Sequence, residues 1–357
     1  MNSSPAFDPP GDAASGRYAV ALLGDTHYDA EPESVYHSHY DESNRWAKIQ
    51  HEEFRRNGEM WRGRCRDLVA AAGALARAEP TRFVLQIGDL VQGDCDDPAT
   101  HARMLEDCIR LLRAPFPADL PFLSVLGNHD VRGKGAREAY LAFARDFFTR
   151  QAGVEASYPS FSLRLEGDLW LFCDFENCPL DRLSDEIDGA RDARRVFLVT
   201  HGPFTADESP FWRWRLGGRS EEGRARLYET LSRRRAVVLS GHTHTTAFYR
   251  HENPFGGFCE FTLNSVWAAP ELATTVPEAN RPEAYGTVRR GEIREEDLEA
   301  FDRDHGFFRP FLREYFYGRA AGHARLHVSA DAVSLSFHPG AAREPGRVFR
   351  LAGPAVR

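Results

Sequence analysis

Residues 18–27 read YAVALLGDTH, a short apolar run that ends in Gly-Asp-Thr-His. A continuous apolar run of this length, bounded by turn residues, is typical of a strand that is buried on both faces of a sheet. The Asp and the His follow the point where such a strand ends, and ligands bind at the carboxyl ends of strands in open α/β sheets. This stretch therefore predicts both an α/β fold and the place of a site.

The same apolar pattern returns four more times, with helical patterns between the runs. The five predicted strands are Tyr18–Leu23, Phe83–Ile87, Phe122–Leu126, Val196–Thr200 and Val237–Ser240. The predicted helices are Trp61–Arg77, Pro98–Leu112, Arg137–Arg150 and Ser220–Arg235. Hairpin patterns cover Phe161–Phe172, with a turn at Gly167-Asp168, and Ala324–Phe337, with a turn at Ala330-Asp331. The alternation predicts an α/β protein with added antiparallel strands.

Composition narrows the class of protein. The 357 residues are 42% hydrophobic and 27% charged, which is typical of a globular chain and excludes a wholly disordered, collagenous or coiled-coil protein. Acidic residues outnumber basic ones by 53 to 45, and the formal net charge of -8 offers no general attraction for nucleic acid or an anionic membrane. The longest apolar run, near Leu68–Ala76, is far shorter than the roughly 18 residues of a membrane span. We therefore expect neither nucleic acid nor a membrane as partner, and the oligomeric state stays open.

The chain shows no internal repeat and no linker, so we expect a single domain over residues 17–357 after a disordered tail at 1–16. Three stretches, near 30–57, 205–219 and 268–317, fit no strand or helix of this scaffold and are interpreted as insertions that act as lids or binding loops. The six cysteines are scattered and none forms C-x-x-C, which favours reduced thiols and a cytoplasmic protein. A secreted protein whose signal peptide had been removed would look the same.

Each predicted strand is followed by a turn that is rich in Asp, Asn and His. The five turns are Gly24-Asp25-Thr26-His27, Gly88-Asp89, Gly127-Asn128-His129-Asp130, Thr200-His201-Gly202 and Gly241-His242-Thr243-His244. Because the strand ends converge on one edge of a sheet, the turns should form one site. Glycine before a polar residue permits a sharp turn and a close approach of the backbone. The spacing of two in Asp25/His27 and in His242/His244 is expected to aim both side chains the same way from an extended chain.

These residue types suit a metal centre. Carboxylate oxygens, imidazole nitrogens and one amide oxygen, without a thiolate, form a ligand set for Mn, Fe or Zn. The seven candidate ligands are Asp25, His27, Asp89, Asn128, His201, His242 and His244. Seven exceed what one ion with open positions uses, whereas two ions bridged by one carboxylate would employ them all. The alternative, a set of capping residues and solvated histidines, does not explain five ordered motifs at five strand ends.

The ordered set G-D-x-H, G-D, G-N-H-D, H-G and G-H-x-H resembles the calcineurin-like metallophosphoesterase superfamily. The resemblance implies a four-layer α/β/β/α sandwich and a dinuclear centre that hydrolyses a phosphomonoester or phosphodiester by attack of a metal-bridging hydroxide. It also implies that Asp25, His27, Asp89 and His244 hold one ion, and that Asn128, His201 and His242 hold the second, with Asp89 as the bridge. His129 would protonate the leaving oxygen or stabilise the transition state, and Asp130 would orient His129.

Two differences from the motifs of known branches of the superfamily indicate which branch this chain resembles. Protein serine/threonine phosphatases carry G-D-x-V-D-R-G and G-N-H-E, whereas this chain has Gly88-Asp89-Leu90-Val91-Gln92-Gly93 and ends the later motif in Asp130. Purple acid phosphatases place a ligand Tyr at the position of Gln92 and lack the D-x-H opening. The chain is thus similar to bacterial phosphodiesterases and general phosphoesterases, including class III cyclic-nucleotide phosphodiesterases. This implies a small-molecule phosphoester as substrate, with nucleotide-like esters included.

Two other functions are compatible with these motifs. One is a nucleotide pyrophosphohydrolase or nuclease with the same centre. The other is a non-catalytic scaffold of the same fold, as in a retromer subunit, although the complete ligand set and His129 favour an enzyme. For substrate choice, the stretches Ala30–Asn57 and Thr205–Arg219 directly follow ligand-bearing strand ends. Within the second, Trp212, Arg213 and Arg215 are candidates to contact a base and a phosphate, or else form an aromatic loop that packs on its own domain.

Overall fold

The computed structural model describes residues 16–29, 36, 47–152, 160–176, 180–205, 221–265, 280–288 and 290–353. Two mixed sheets pack face to face in it, and helices cover their outer faces. The predicted α/β/β/α sandwich is therefore confirmed. The predicted tail falls outside the described residues, as does most of the stretch 30–57.

The first sheet has six strands. They are β1 (Tyr18–Leu23), β2 (Thr81–Gln86), β3 (Phe122–Ser124), β11 (Gly322–Val328), β12 (Val333–Pro339) and β13 (Arg347–Ala352), numbered in chain order. The strands lie in the order β13-β12-β11-β1-β2-β3. β1, β2 and β3 run parallel, while β11 pairs with β1 in the antiparallel sense. The turns after β1, β2 and β3 therefore leave the sheet at the same edge.

The second sheet has seven strands. They are β4 (Phe161–Leu165), β5 (Asp168–Cys173), β6 (Val196–Thr200), β7 (Val237–Ser240), β8 (Thr246–Asn253), β9 (Gly256–Thr262) and β10 (Leu312–Gly318). Their order is β10-β8-β9-β7-β6-β5-β4. β5, β6, β7 and β9 run parallel, with Leu198 of β6 opposite Val238 of β7. The turns after β6 and β7 leave this sheet together.

Seven α-helices are described. They are α1 (Ala47–Arg62), α2 (Arg64–Ala78), α3 (Pro98–Arg113), α4 (Ala136–Ala152), α5 (Leu180–Gly189), α6 (Glu221–Arg233) and α7 (Leu298–Phe308). α2 packs on β1 and β11, α4 on β3, and α6 on β9. α3 begins as its sequence predicts, because Asp97 accepts a hydrogen bond from the Thr100 amide at 2.9 Å and Pro98 takes the first helical position. Among these described helices, none is long and apolar enough to cross a membrane.

The core explains why the strands read as unbroken apolar runs. Every residue of β1 is buried, because helices cover one face of the sheet and the second sheet covers the other. Between the sheets, Phe83 of β2 meets Trp170 of β5 edge-on at 5.1 Å, and Trp170 stacks on Phe197 of β6 at 4.2 Å. Burying one such side chain contributes roughly 1.5 to 3 kcal/mol. This packing fixes the relative positions of the two sheets and of their edges.

Some sequence-based expectations are wrong. The hairpin turn expected at Gly167-Asp168 lies at Glu166-Gly167, where both residues have positive φ (50° and 81°), as a two-residue turn requires. Within the stretch 268–317 interpreted as an insertion, residues 312–317 belong to β10, which extends the second sheet beside β8. Within the stretch 30–57, the described part is mostly helix α1. The strands β8, β9, β10 and β13 were not predicted, since each is fixed by partners distant in sequence.

The expectation of reduced thiols holds only in part. Cys65, Cys95, Cys108 and Cys259 are free and buried. Cys173, the last residue of β5, is disulfide-bonded. The sequence gives no sign of this bond, because Cys173 belongs to no C-x-x-C motif and to no regular cysteine spacing.

A polar contact joins the two sheets at the end where their parallel strands begin. The Tyr18 hydroxyl on β1 donates to Asp168 Oδ2 on β5 at 2.7 Å and accepts from Trp170 Nε1 at 3.1 Å. Arg194 binds the same carboxylate through Nε and Nη2 at 2.8 and 2.7 Å. Asp168 is fully buried, so these donors replace the water that it gives up.

Replacing Tyr18 by Phe tests this contact. Tyr18→Phe removes one donor from buried Asp168 and one acceptor from Trp170, and is expected to lower the free energy of unfolding by about 1 to 3 kcal/mol. Urea denaturation monitored by tryptophan fluorescence measures the change. Stability equal to that of the wild type would show that the hydroxyl adds nothing to the packing of the two sheets.

Candidate metal centre

The five polar turns meet at one place. Those after β1, β2 and β3 come from the first sheet, and those after β6 and β7 from the second. The site therefore lies between the edges of two sheets, rather than along the edge of one sheet as the sequence suggested. All seven predicted ligands are brought together there: Asp25, His27, Asp89, Asn128, His201, His242 and His244.

Two groups of ligand atoms lie side by side, and a third group, formed by His27, Asp89 and His129, overlaps both. In the first, atoms of Asp25, His27 and His244 lie within 4.8 Å of one another. In the second, the same holds for Asp89, His201 and His242. Asn128 joins the second group, because its Oδ1 lies 3.2 Å from His201 Nε2. The first two groups agree with the two ligand sets that the family resemblance implies, whereas the third also offers His129 as a candidate ligand.

Asp89 lies between the two groups. Its Oδ2 is 3.6 Å from His27 Nε2 in the first group and 3.1 Å from His201 Nε2 in the second. Its Oδ1 accepts a hydrogen bond from the His129 amide at 2.8 Å, which fixes the carboxylate. This is the position that a carboxylate shared by two ions requires.

The buried carboxylates fit cations better than they fit the protein alone. Asp25 and Asp89 are at most 1% exposed, yet Oδ2 of each accepts no hydrogen bond. A buried charged oxygen without a donor is costly, and native structures rarely leave one so. Divalent ions at these atoms would supply the missing partners. The donor set therefore fits two metal ions, and Mn, Fe and Zn are all compatible with it.

Hydrogen bonds behind the ligands aim two imidazoles into the centre. His27 Nδ1 donates to Gln92 Oε1 at 3.1 Å, and His201 Nδ1 donates to the Ile87 carbonyl at 2.8 Å. Carbonyl oxygens only accept, so each Nδ1 carries the proton and each Nε2 faces the other ligands. Such partners set the tautomer and orientation of metal-binding histidines.

Burial and neighbouring charge shift the acidity of these ligands. Burial raises the pKa of Asp25 and lowers the pKa of His27 to about 4. At His201 burial acts downward, but the carboxylates of Asp89 and Asp25 outweigh it and raise the pKa to about 9. Metal binding must displace protons from Asp25 and His201. Metal affinity should therefore fall as the pH is lowered.

The backbone at the ligands is left-handed rather than extended. His27, Asp89, His242 and His244 have φ of 41°, 52°, 69° and 52°. The expectation that the ligand pairs project from an extended chain is therefore wrong. Left-handed backbone costs roughly 1 to 2 kcal/mol for a residue with a side chain, and such strain concentrates at functional sites where the surroundings enforce it.

Asp130 does not orient His129, contrary to the prediction. Its carboxylate accepts hydrogen bonds from the amides of Gly127, Asp89 and Val91 at 2.9, 3.1 and 3.3 Å. Asp130 thus ties the turn after β3 to the turn after β2, which carries Asp89. Three backbone donors hold this carboxylate, and its hydrogen bonds within the described chain include none to the imidazole of His129.

His129 is oriented by other groups. Its ring lies 4.4 Å from the ring of His27. Its Nδ1 donates to the Gln92 carbonyl at 2.8 Å, and its Nε2 accepts from Arg132 Nη1 at 3.2 Å. Burial, and next the charge of Arg132, lower the pKa of His129.

Sequence reasoning missed the residues that support the ligands from behind. The Gln92 side chain accepts from Asn57 Nδ2 at 2.6 Å and donates to Glu53 Oε2 at 3.1 Å. Both partners lie on α1, in the stretch 30–57 interpreted as an insertion. Gln92 was visible only as a departure from other subfamilies' motifs, and nothing in the sequence links Glu53, Asn57 or Arg132 to it. Trp212, Arg213 and Arg215, the predicted substrate contacts, lie outside the described residues.

The sequence of a known family matches most of this region. The family model described as calcineurin-like phosphoesterase matches residues 18–246, which is more than half of the chain. The chain belongs to this family. No curated protein gave a match to the chain.

Several solved structures share the fold. Purple acid phosphatase PPD1 from yellow lupin superposes with a TM-score of 0.54 at 11% identity, covering 97% of this chain and 55% of its own. A dimetal phosphatase from Danio rerio superposes with a TM-score of 0.50 at 12% identity, covering 94% of this chain and 99% of its own. GAP50, the anchor in the inner membrane complex of Plasmodium, superposes with a TM-score of 0.52 at 12% identity, covering 96% of this chain and 90% of its own. The chain thus spans about 55% of the lupin phosphatase, and identities this low show the fold alone.

Close packing of the turns makes a glycine substitution informative. A Cβ on Gly127 would collide with the amide and the carboxylate of Asp89, whereas a Cβ on Gly189 would meet nothing within 4 Å. We expect Gly127→Ala to displace Asp89 and to lose most bound metal, and Gly189→Ala to bind metal like the wild type. Elemental analysis after metal loading measures both. Full metal content in Gly127→Ala would show that Asp89 tolerates displacement.

Proposed function

We propose that this protein is a dinuclear metal-dependent phosphoesterase that acts on a small-molecule phosphomonoester or phosphodiester. The main support is the place of Asp89, whose Oδ2 lies 3.6 Å from one ligand group and 3.1 Å from the other and accepts no hydrogen bond. When bound, two divalent ions lower the pKa of water and offset the charge of phosphoryl oxygens. Family membership supports phosphoester hydrolysis as the reaction class.

The chain's own residues divide the remaining work. Asp25, His27 and His244 would hold one ion, and Asn128, His201 and His242 the other, with Asp89 shared. Gln92 Oε1 holds the His27 imidazole, and the Ile87 carbonyl holds the His201 imidazole, in the tautomer that leaves Nε2 available. His129 lies beside the first group, where its neutral form would stabilise charge in the transition state and only a form protonated at Nε2 would give a proton to the leaving oxygen.

An activity screen with a bridge variant tests the proposal. Metal-loaded protein should hydrolyse at least one ester in a panel of phosphomonoesters, phosphodiesters and pyrophosphate esters. Asp89→Asn should lose most metal and nearly all turnover, because the shared carboxylate holds the ions together and offsets their repulsion. Hydrolysis confined to pyrophosphates or nucleic acid would favour the pyrophosphohydrolase or nuclease. Wild-type protein with two bound ions and no activity would contradict the proposal.

A non-catalytic scaffold is the second candidate. GAP50, which shares the fold, is described as an anchor. An inactive wild-type protein in the same screen would favour this function. The unsatisfied Oδ2 atoms of Asp25 and Asp89 argue for the enzyme, because a scaffold has no need to keep buried carboxylates without donors.

The role of His129 can be separated from metal binding. His129→Ala should keep both ions and slow hydrolysis by roughly 10² to 10⁴, as loss of a general acid does. The loss should be larger for an alkyl ester than for a p-nitrophenyl ester, since an alkoxide needs the proton more. Equal losses in kcat/KM for the two esters would assign His129 to charge stabilisation instead.

Arg132 is a candidate contact to the substrate's phosphoryl oxygens. Its Nη1 lies beside His129 Nε2, and its side chain is 34% exposed. Asp94 holds the guanidinium through Nε at 2.6 Å, and Glu53 lies 3.4 Å from Nη2. The guanidinium is therefore fixed on one side and presents Nη1 next to the metal ligands, where charge-assisted hydrogen bonds to phosphate are strong.

Arg132→Ala should lower kcat/KM about tenfold or more on the preferred ester, because an arginine–phosphate contact contributes roughly 1.5 to 3 kcal/mol. Metal content should stay normal. Arg66→Ala, an exposed arginine on α2, is the matched control and should leave kcat/KM unchanged. The same assay on Arg213→Ala and Arg215→Ala tests the stretch 205–219 as a substrate loop. Wild-type kinetics in Arg132→Ala would remove Arg132 from the binding site.

A further inference from the structure

A cavity of about 580 Å³ lies at the end of the second sheet that is remote from the metal ligands. It is lined by residues just before β6 and β7, by the β8–β9 hairpin and by the end of β13. A strand rises about 3.3 Å per residue, so Arg195 on its rim lies roughly 20 Å along β6 from His201. The volume is within the usual range for small-molecule sites.

Arginines dominate the lining. The described residues around the cavity include Arg194, Arg195, Arg234, Arg235 and Arg250, and a single carboxylate, Glu252. Two of these arginines have acidic partners, Arg194 with Asp168 at 2.7 Å and Arg250 with Glu314 at 2.7 Å. This concentration of positive charge contrasts with the net charge of -8 of the whole chain.

The other three arginines keep their charge. Arg195 is held by the carbonyls of Ser329, Ala330 and Gly353 at 2.9 to 3.0 Å. Arg234 is held by those of Ile187, Ala190 and Ala193 at 3.0 to 3.2 Å. Carbonyls position a guanidinium without neutralising it. Within the described part of the chain, Arg195, Arg234 and Arg235 form no ion pair with a carboxylate within 4.0 Å.

Arg195 also has an unused donor. Its side chain is 7% exposed, and its Nε has no hydrogen-bond partner. A buried charged N–H without a partner is costly, and negative charge in the cavity would offset part of that cost.

Arg235 occupies a backbone position that favours glycine. The Ala236 amide donates to the Leu231 carbonyl at 3.0 Å, and the Arg235 amide donates to the Ser232 carbonyl at 3.2 Å, which is the Schellman pattern that ends α6. Arg235 has φ of 49° in this motif, where glycine is the usual residue. Arg235 thus ends α6 in a strained conformation, and its exposed side chain lines the cavity.

We propose that this cavity binds a small polyphosphate, either inorganic or as the phosphate chain of a nucleotide, at a site separate from the metal centre. Three guanidiniums that form no ion pair with a carboxylate of the described chain match a ligand that carries at least two anionic groups. Two of them are fixed by backbone carbonyls, so little side-chain ordering opposes binding.

Calorimetry of metal-loaded protein with methylenediphosphonate tests the proposal, since its carbon bridge resists hydrolysis. Wild-type protein should show two classes of site, one at the metals and one in the cavity. Asp89→Asn should lose the first class only. Arg235→Gly should weaken the second at least tenfold and leave esterase activity and metal content unchanged, and Arg66→Ala should change neither class.

Arg235→Gly also separates ligand binding from stability. Glycine relieves the strain at φ of 49°, so the melting temperature without ligand should equal or exceed that of the wild type. A non-hydrolysable nucleoside triphosphate that binds the cavity more tightly than methylenediphosphonate would identify a nucleotide, and equal affinity an inorganic polyphosphate. A single class of site that disappears in Asp89→Asn, or full affinity in Arg235→Gly, would overturn the proposal.

Discussion

The Asp89 carboxylate is the constraint on which the rest of the site depends. It is buried between two groups of nitrogen and oxygen ligands, its Oδ1 is fixed by the His129 amide, and its Oδ2 accepts no hydrogen bond. The backbone is left-handed at Gly88 and Asp89, and Gly127 lies too close to Asp89 to carry a side chain. Asp130 then ties the two turns together through three amides. The local cost of this arrangement is offset by the packing of both sheets, which hold their strand ends at fixed positions.

The sequence predicts the parts of the fold that depend on local pattern. β1, β6 and β7 have the bounds expected from their apolar runs, because a strand buried on both faces needs apolar residues throughout. The polar turns after them could be assigned to one site because each follows a strand end, although two sheets rather than one supply these ends. What the sequence does not show is set by distant partners. Tertiary packing determines the left-handed backbone at four ligands, the carbonyls behind His27 and His201, and the placement of Asp130. The same is true of β10, whose pairing with β8 no local pattern indicates.

The two ends of the sandwich have different chemistry. At the carboxyl ends of the parallel strands, buried carboxylates and imidazoles form a donor set that fits metal cations. At the amino ends, Tyr18, Asp168 and Arg194 join the sheets in a satisfied network. Five arginines line the cavity beside it, and three of them form no ion pair with a carboxylate of the described chain. The chain belongs to a phosphoesterase family, and the metal ligands alone do not define which ester it would bind. We propose Arg132 for that task, because its Nη1 lies 3.2 Å from His129 Nε2.

Anomalous diffraction from crystals of metal-loaded protein shows whether Asp89 is shared by two ions. We expect two peaks about 3.5 to 4 Å apart, with Asp89 Oδ2 coordinating both ions and Asn128 Oδ1 coordinating one. A single ion at full metal loading, or two ions that do not share Asp89, would contradict it.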